Sequence, residues 1–212
     1  MAMIKSALEL ALEKTKDLEV DEAALEATGL RQEGKRSAGR YLDSPEENDL
    51  AVVLKGYADR QRAAVREGMY EVLAAQLQLP GNDAALEKLE VLARGFSSIA
   101  PSGSGLLGGA GGSAEKKIQA LFQQLASFFR QYLEDMRNVE QVIRKQWAPK
   151  IRDKEREMSA RMGQDVRIDP MMDPEFAAFY KQNVGGVRQQ YQSALDKAKA
   201  DIQNLMAIER RP

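Results

Sequence analysis

Neither cysteine nor histidine occurs among the 212 residues. Without cysteine there is no disulfide framework, no thiolate nucleophile and no cysteine-ligated zinc or iron–sulfur cluster. Without histidine the chain lacks the one side chain that ordinarily titrates near neutrality. Ser-His-Asp triads, Cys-His pairs and histidine-containing metal sites are therefore excluded within the chain. Aromatic residues are only 6% of the total, with a single tryptophan. No run approaches the ~18 consecutive apolar residues of a membrane span. The opening "MAMIKSALELALEKTKDLE" is interrupted by Lys5, Glu9, Glu13 and Lys14, so it reads as an amphipathic helix rather than a secretory signal. A formal net charge of −1 provides no long-range attraction to nucleic acid or to an anionic membrane. A cytoplasmic location is the expectation.

What remains is a helix-forming composition, 43% hydrophobic and 30% charged. Ile4, Leu8, Ala11, Leu12 and Thr15 mark a first amphipathic helix to about Asp17. A second opens at Asp21, weakens at Gly29 and Gly34, and is expected to end before Gly39. "SPEEND" has the residues of a helix start: Ser44 as N-cap, Pro45 in the first turn, and Glu47 completing a capping box. The predicted helix carries Leu50, Leu54, Val65, Leu73 and Leu77 and stops at Pro80-Gly81. Asn82 or Asp83 then caps a shorter helix bearing Leu86, Leu89, Leu92 and Phe96.

The longest stripe runs from Ile118 to Ile151 with a mean step of about 3.7 residues, closer to an eleven-residue repeat than to a heptad. Pro149 predicts a kink or a brief break, and Gly163 an end. Asp173-Pro174 opens a final stripe from Phe176 to Leu205, in which Gly185-Gly186 suggest a close helix contact. These two segments, joined by "DVRIDPMMDPEF", predict an antiparallel hairpin with arms of about 50 Å. The fold class is therefore all-α, a helical bundle built around a long hairpin with shorter N-terminal helices. Its expected parts are N-terminal helices with a basic arm (1–44), a helical pair (45–100), a linker (101–113) and the hairpin (114–212), within one integrated domain.

The glycine run "PSGSGLLGGAGGS" contains G-x-G-x-x-G in Gly103, Gly105 and Gly108. No strand precedes it and no acidic residue follows at the required distance, so it reads as a linker rather than a dinucleotide cradle. Arg31, Lys35, Arg36 and Arg40 form a basic cluster that could contact phosphates, though Glu33 and Asp43 dilute it. Basic residues between Arg144 and Arg161 alternate with Asp153, Glu155 and Glu157, as on a solvated helix face. Asp165, Asp169, Asp173 and Glu175 lack the calcium-loop pattern and read as caps and turns. Phe128, Phe129 and Trp147 are candidates for a partner or self-association surface, because adjacent phenylalanines cannot share one helix face.

"MIKSALELALEKT" and "GLRQEGKRSAGRYL" resemble an uncharacterised family of bacterial cytosolic, helix-rich, coiled-coil-like proteins, chiefly over the first 45 residues. The resemblance implies no active site and no cofactor. The leading expectation is a non-enzymatic interaction or scaffold protein that presents its hairpin to a protein partner or to itself. The alternatives are a nucleic-acid-associated protein acting through residues 31–40 and an enzyme using carboxylates or lysine. No catalytic, cofactor-binding or metal-ligating residue is assigned.

Overall fold

The computed structural model describes residues 22–101 and 114–206. The first amphipathic stripe and the glycine run lie outside the described residues. Six α-helices are present among the described residues, and no strand. They are α1 (Glu22–Asp43), α2 (Leu50–Lys55), α3 (Asp59–Gln76), α4 (Glu87–Ile99), α5 (Ala114–Met162) and α6 (Pro174–Leu205). Short 3-10 turns occupy Asp83–Leu86 and Pro170–Met172. The chain divides into two compact units, Met1–Val72 and Leu73–Pro212, so the division falls inside α3.

In the first unit, α1 runs unbroken through Gly29, Gly34 and Gly39, contrary to the expected weakening and early end. The reason is the approach of α3. A Cβ built on Gly34 would lie 2.1 Å from the Val65 carbonyl oxygen, and one on Gly68 would lie 2.0 Å from that of Arg31. Two glycines on facing helices thus let the backbones meet. Ala38, Val65 and Met69 fill the space beside them and are fully buried. The packing gained there offsets the poor helix propensity of glycine.

Ser44 is not the residue of "SPEEND" that starts a helix; Asp49 is. The Ser44 amide still donates to the Arg40 carbonyl, 2.9 Å away, and Asn48 Nδ2 donates to the carbonyls of Arg40 and Ser44. The segment therefore closes the C-terminus of α1, whose last carbonyls would otherwise be orphaned. Asp49 is the N-cap of α2, accepting from the amides of Ala51 and Val52. Arg62 of α3 donates from Nε to the Leu54 carbonyl at 3.1 Å, capping the other end of that short helix.

The second unit is dominated by α5, which spans about 74 Å at 1.5 Å per residue for its 49 residues. It passes Pro149 without a break. Ile143, Trp147 and Ile151 are buried on either side of the proline, and their packing outweighs one lost backbone hydrogen bond. Asn82 caps the 3-10 turn before α4, accepting from the Ala85 amide at 3.2 Å. α4 packs on α5, with Phe96 and Phe122 ring centroids 5.4 Å apart.

The glycines of α6 behave differently from those of α1. Among the described residues nothing lies within 4 Å of a Cβ added at Gly185 or Gly186, so the expected close contact is not found there. Gly34→Ala or Gly68→Ala is expected to destabilise the chain by about 1–3 kcal/mol through backbone overlap. Gly185→Ala and Gly186→Ala should each stabilise it by about 1 kcal/mol. Urea denaturation of the four single variants checks the contrast; equal effects at both pairs would contradict it.

Candidate interaction surface at the hairpin tip

Contacts between α5 and α6 advance along one helix as they retreat along the other. Tyr191 meets Phe128 and Tyr132, each with ring centroids 5.0 Å away, and its hydroxyl donates to Asp135. Farther out, the Tyr180 hydroxyl donates to Glu140 Oε1 at 2.6 Å. Trp147 packs edge-on against Phe176 at 5.7 Å and also against Phe179. Lys154 reaches Asp173 at the start of α6. This is the order of an antiparallel pair. The outer apolar cluster, Ile143, Trp147 and Phe176 with Val139, Phe179, Tyr180 and Val184, is drawn from these two helices. Burial and then the bond to Asp135 push the Tyr191 phenol up to about 12.

The tip is held by local hydrogen bonds. Gly163 adopts φ +70°, the left-handed conformation that commonly ends a helix at glycine, and its amide donates to the Ser159 carbonyl at 2.9 Å. The Val166 amide donates to Ser159 Oγ, and the Ile168 amide to Glu155 Oε1 at 3.0 Å. Asp169 accepts from the Met171 amide. Asp173, only 7% exposed, caps α6 by accepting from the amides of Glu175 and Phe176 at 3.1 and 3.0 Å. Lys154 Nζ donates to its other oxygen at 2.5 Å. The lysine bond first, and the Phe176 amide next, hold this carboxyl below the usual aspartate range against the opposing effect of burial. Asp169 and Asp173 thus act as caps, and no metal-competent group of three or more acidic residues forms among the described residues.

On this frame lies a groove of about 560 Å³ whose lining includes Met158, Val166, Ile168 and Met172, with Arg161 and Arg167 beside them. Met158, Met162, Met171 and Met172 are 42%, 58%, 49% and 80% exposed. The arrangement can accept an apolar side-chain row between charged margins. Methionine suits such a surface because its flexible, polarisable chain adapts to varied shapes.

The residues singled out from sequence lie elsewhere. Arg31 pairs with Glu67 at 2.8 Å and Lys35 with Glu71 at 2.6 Å, both across to α3, while Arg36 and Arg40 are exposed. The basic segment is therefore part of a packed helix, with two of its four cations paired across to α3. Phe129 and Trp147 are buried within the second unit, and Phe128 leans on Tyr191. Phe128 itself is half-buried. A second groove, about 340 Å³, lies between the Leu79–Asp83 segment and α5. There Arg137 pairs with Asp83 at 3.3 Å, and Glu140 is taken by Tyr180.

The profile of a family of unknown function, DUF6657, matches residues 51–204, from within α2 almost to the end of α6. The chain belongs to this family. No curated protein and no solved structure matches it. The DUF6657 match begins beyond the two N-terminal motifs that carried the sequence resemblance, and it covers the whole hairpin and its tip. No helix of the described residues is long and apolar enough to cross a membrane.

The tip methionines are not among the candidates that the sequence pattern marks, although four of the nine fall between positions 158 and 172. That local density, beside two Asp-Pro pairs, was the available signal. The capping carboxylate yields a pH prediction. A lowered aspartate pKa means that the unfolded chain binds the proton more readily. Its stabilisation is complete above the ordinary carboxyl value of about 4 and is lost as pH falls through the lowered folded value. Asp173→Asn should flatten this acid limb and lower the melting temperature at neutral pH by a few degrees. An unchanged acid limb in thermal melts would contradict the role given to Asp173.

Proposed function

We propose that this DUF6657 chain is a non-enzymatic interaction protein whose α5–α6 hairpin presents its methionine-lined tip to an amphipathic helix of a protein partner. The observation that carries the reading is the concentration of exposed methionine at the one end of the hairpin where cap and turn bonds fix the backbone. Exposed apolar side chains grouped in this way mark interaction surfaces more often than scattered ones do. An amphipathic helix offers apolar side chains every three or four residues, which fits a short groove with charged margins.

Other readings receive less support. The basic cluster at 31–40 is half neutralised by Glu67 and Glu71, which weakens the case for phosphate contacts. In both grooves most ionisable groups are engaged with one another or act as caps, which gives an enzyme little to work with. A cytoplasmic location is part of the same proposal.

A photo-crosslinking amino acid placed at Met172 in producing cells tests the idea, with the exposed α6 position Lys181 as control. A discrete protein adduct from position 172, lost on Met158→Lys and absent from position 181, is expected. Equal adducts from both positions, or none from 172, would overturn the docking role.

A further inference from the structure

The tip methionines differ from the rest of the chain in chemistry as well as in position. Met69 and Met206 are 0% and 1% exposed, whereas the four tip residues stand open to solvent. With no cysteine present, thioether sulfur is the only sulfur available to a two-electron oxidant. Met158 and Met162 are one helical turn apart and so share a face of α5. Met158 and Met172 line the same groove.

We propose that Met158, Met162, Met171 and Met172 are reversible oxidation sites through which a peroxide-class oxidant weakens docking at the tip. The sulfur lone pair attacks one peroxide oxygen and the O–O bond breaks. Sulfur is oxidised by two electrons to the sulfoxide, and the second oxygen leaves as water after proton transfer. Each event puts a strong acceptor where an apolar surface stood. Arg161 and Arg167 line the same groove and can donate to the new oxygen. The tip's backbone does not depend on methionine, since its closure uses Gly163, Ser159, Glu155, Asp169 and Asp173. Oxidation therefore changes the surface and leaves the hairpin standing.

The consequence for docking rests on the function proposed above; the modification itself does not. Dilute hydrogen peroxide on the intact chain, followed by peptide mass mapping, reads the sites directly. The four tip methionines should each gain one oxygen at least about tenfold faster than Met69 and Met206. Circular dichroism should be unchanged, and methionine sulfoxide reductase should remove the added oxygen. The adduct from position 172 should fall at least about fivefold after treatment, tip oxidation now residing in the other three methionines. Oxidation at similar rates in buried and tip positions would overturn the site assignment. Selective oxidation with an undiminished adduct would overturn the switch while leaving docking intact. If the untreated chain forms no adduct, the docking reading and the switch fall together, and the mass map alone decides the modification.

Discussion

Two helices extended side by side must bury their apolar stripes against each other, and that constraint governs the outer hairpin. In two-stranded coiled coils, leucine and β-branched side chains fill such a seam. The chain uses wide side chains instead: Trp147 spans to Phe176 and Phe179, and Tyr191 wedges between Phe128 and Tyr132. The two tyrosines of α6, Tyr180 and Tyr191, also find carboxylates on α5, Glu140 and Asp135, so their hydroxyls stay satisfied. Phe128, Tyr132, Trp147, Phe176, Phe179 and Tyr191 all meet a ring of the opposite helix, which is why Trp147 is buried in the seam. Lys154 and Asp173 then close the pair, joining the end of one helix to the cap of the next.

That closure explains why the tip can expose apolar side chains without unravelling. The amides of Val166, Ile168, Met171 and Glu175 are met by the side chains of Ser159, Glu155, Asp169 and Asp173, so these turn bonds use no methionine side chain. Exposed methionine at such a point costs solubility and adds nothing to the turn. The docking surface proposed above would account for it, and the DUF6657 match over residues 51–204 covers the whole hairpin. The unit holding α1 to α3 follows another rule, with glycines at 34 and 68 replacing side-chain interdigitation by direct backbone approach.

Much of the fold was legible from periodicity. The stripe from Ile118 to Ile151, its end at Gly163 and the Asp173-Pro174 start are all expressed locally, through side-chain spacing and cap chemistry. What was not legible depended on partners distant in sequence. Gly34 reads as a helix breaker until Val65 is placed against it. Ser44 has every local mark of an N-cap, yet the demand from the carbonyls of α1 outweighs it and Asp49 takes that role. Pro149 predicts a break only if the flanking residues are free to move, and Ile143, Trp147 and Ile151 are not. The tip escaped notice because methionine is ordinarily a core filler, and only exposure distinguishes the four at 158–172 from Met69.

Docking at the tip requires that it be open on the intact chain, covered neither by the chain's own segments nor by a second copy. Methionine ε-methyl NMR with a neutral, soluble paramagnetic agent tests it directly. Strong relaxation of the Met158, Met162, Met171 and Met172 methyls, independent of protein concentration, is expected, with Met69 and Met206 shielded. Shielded tip methyls would show that the surface is already occupied and would contradict the account.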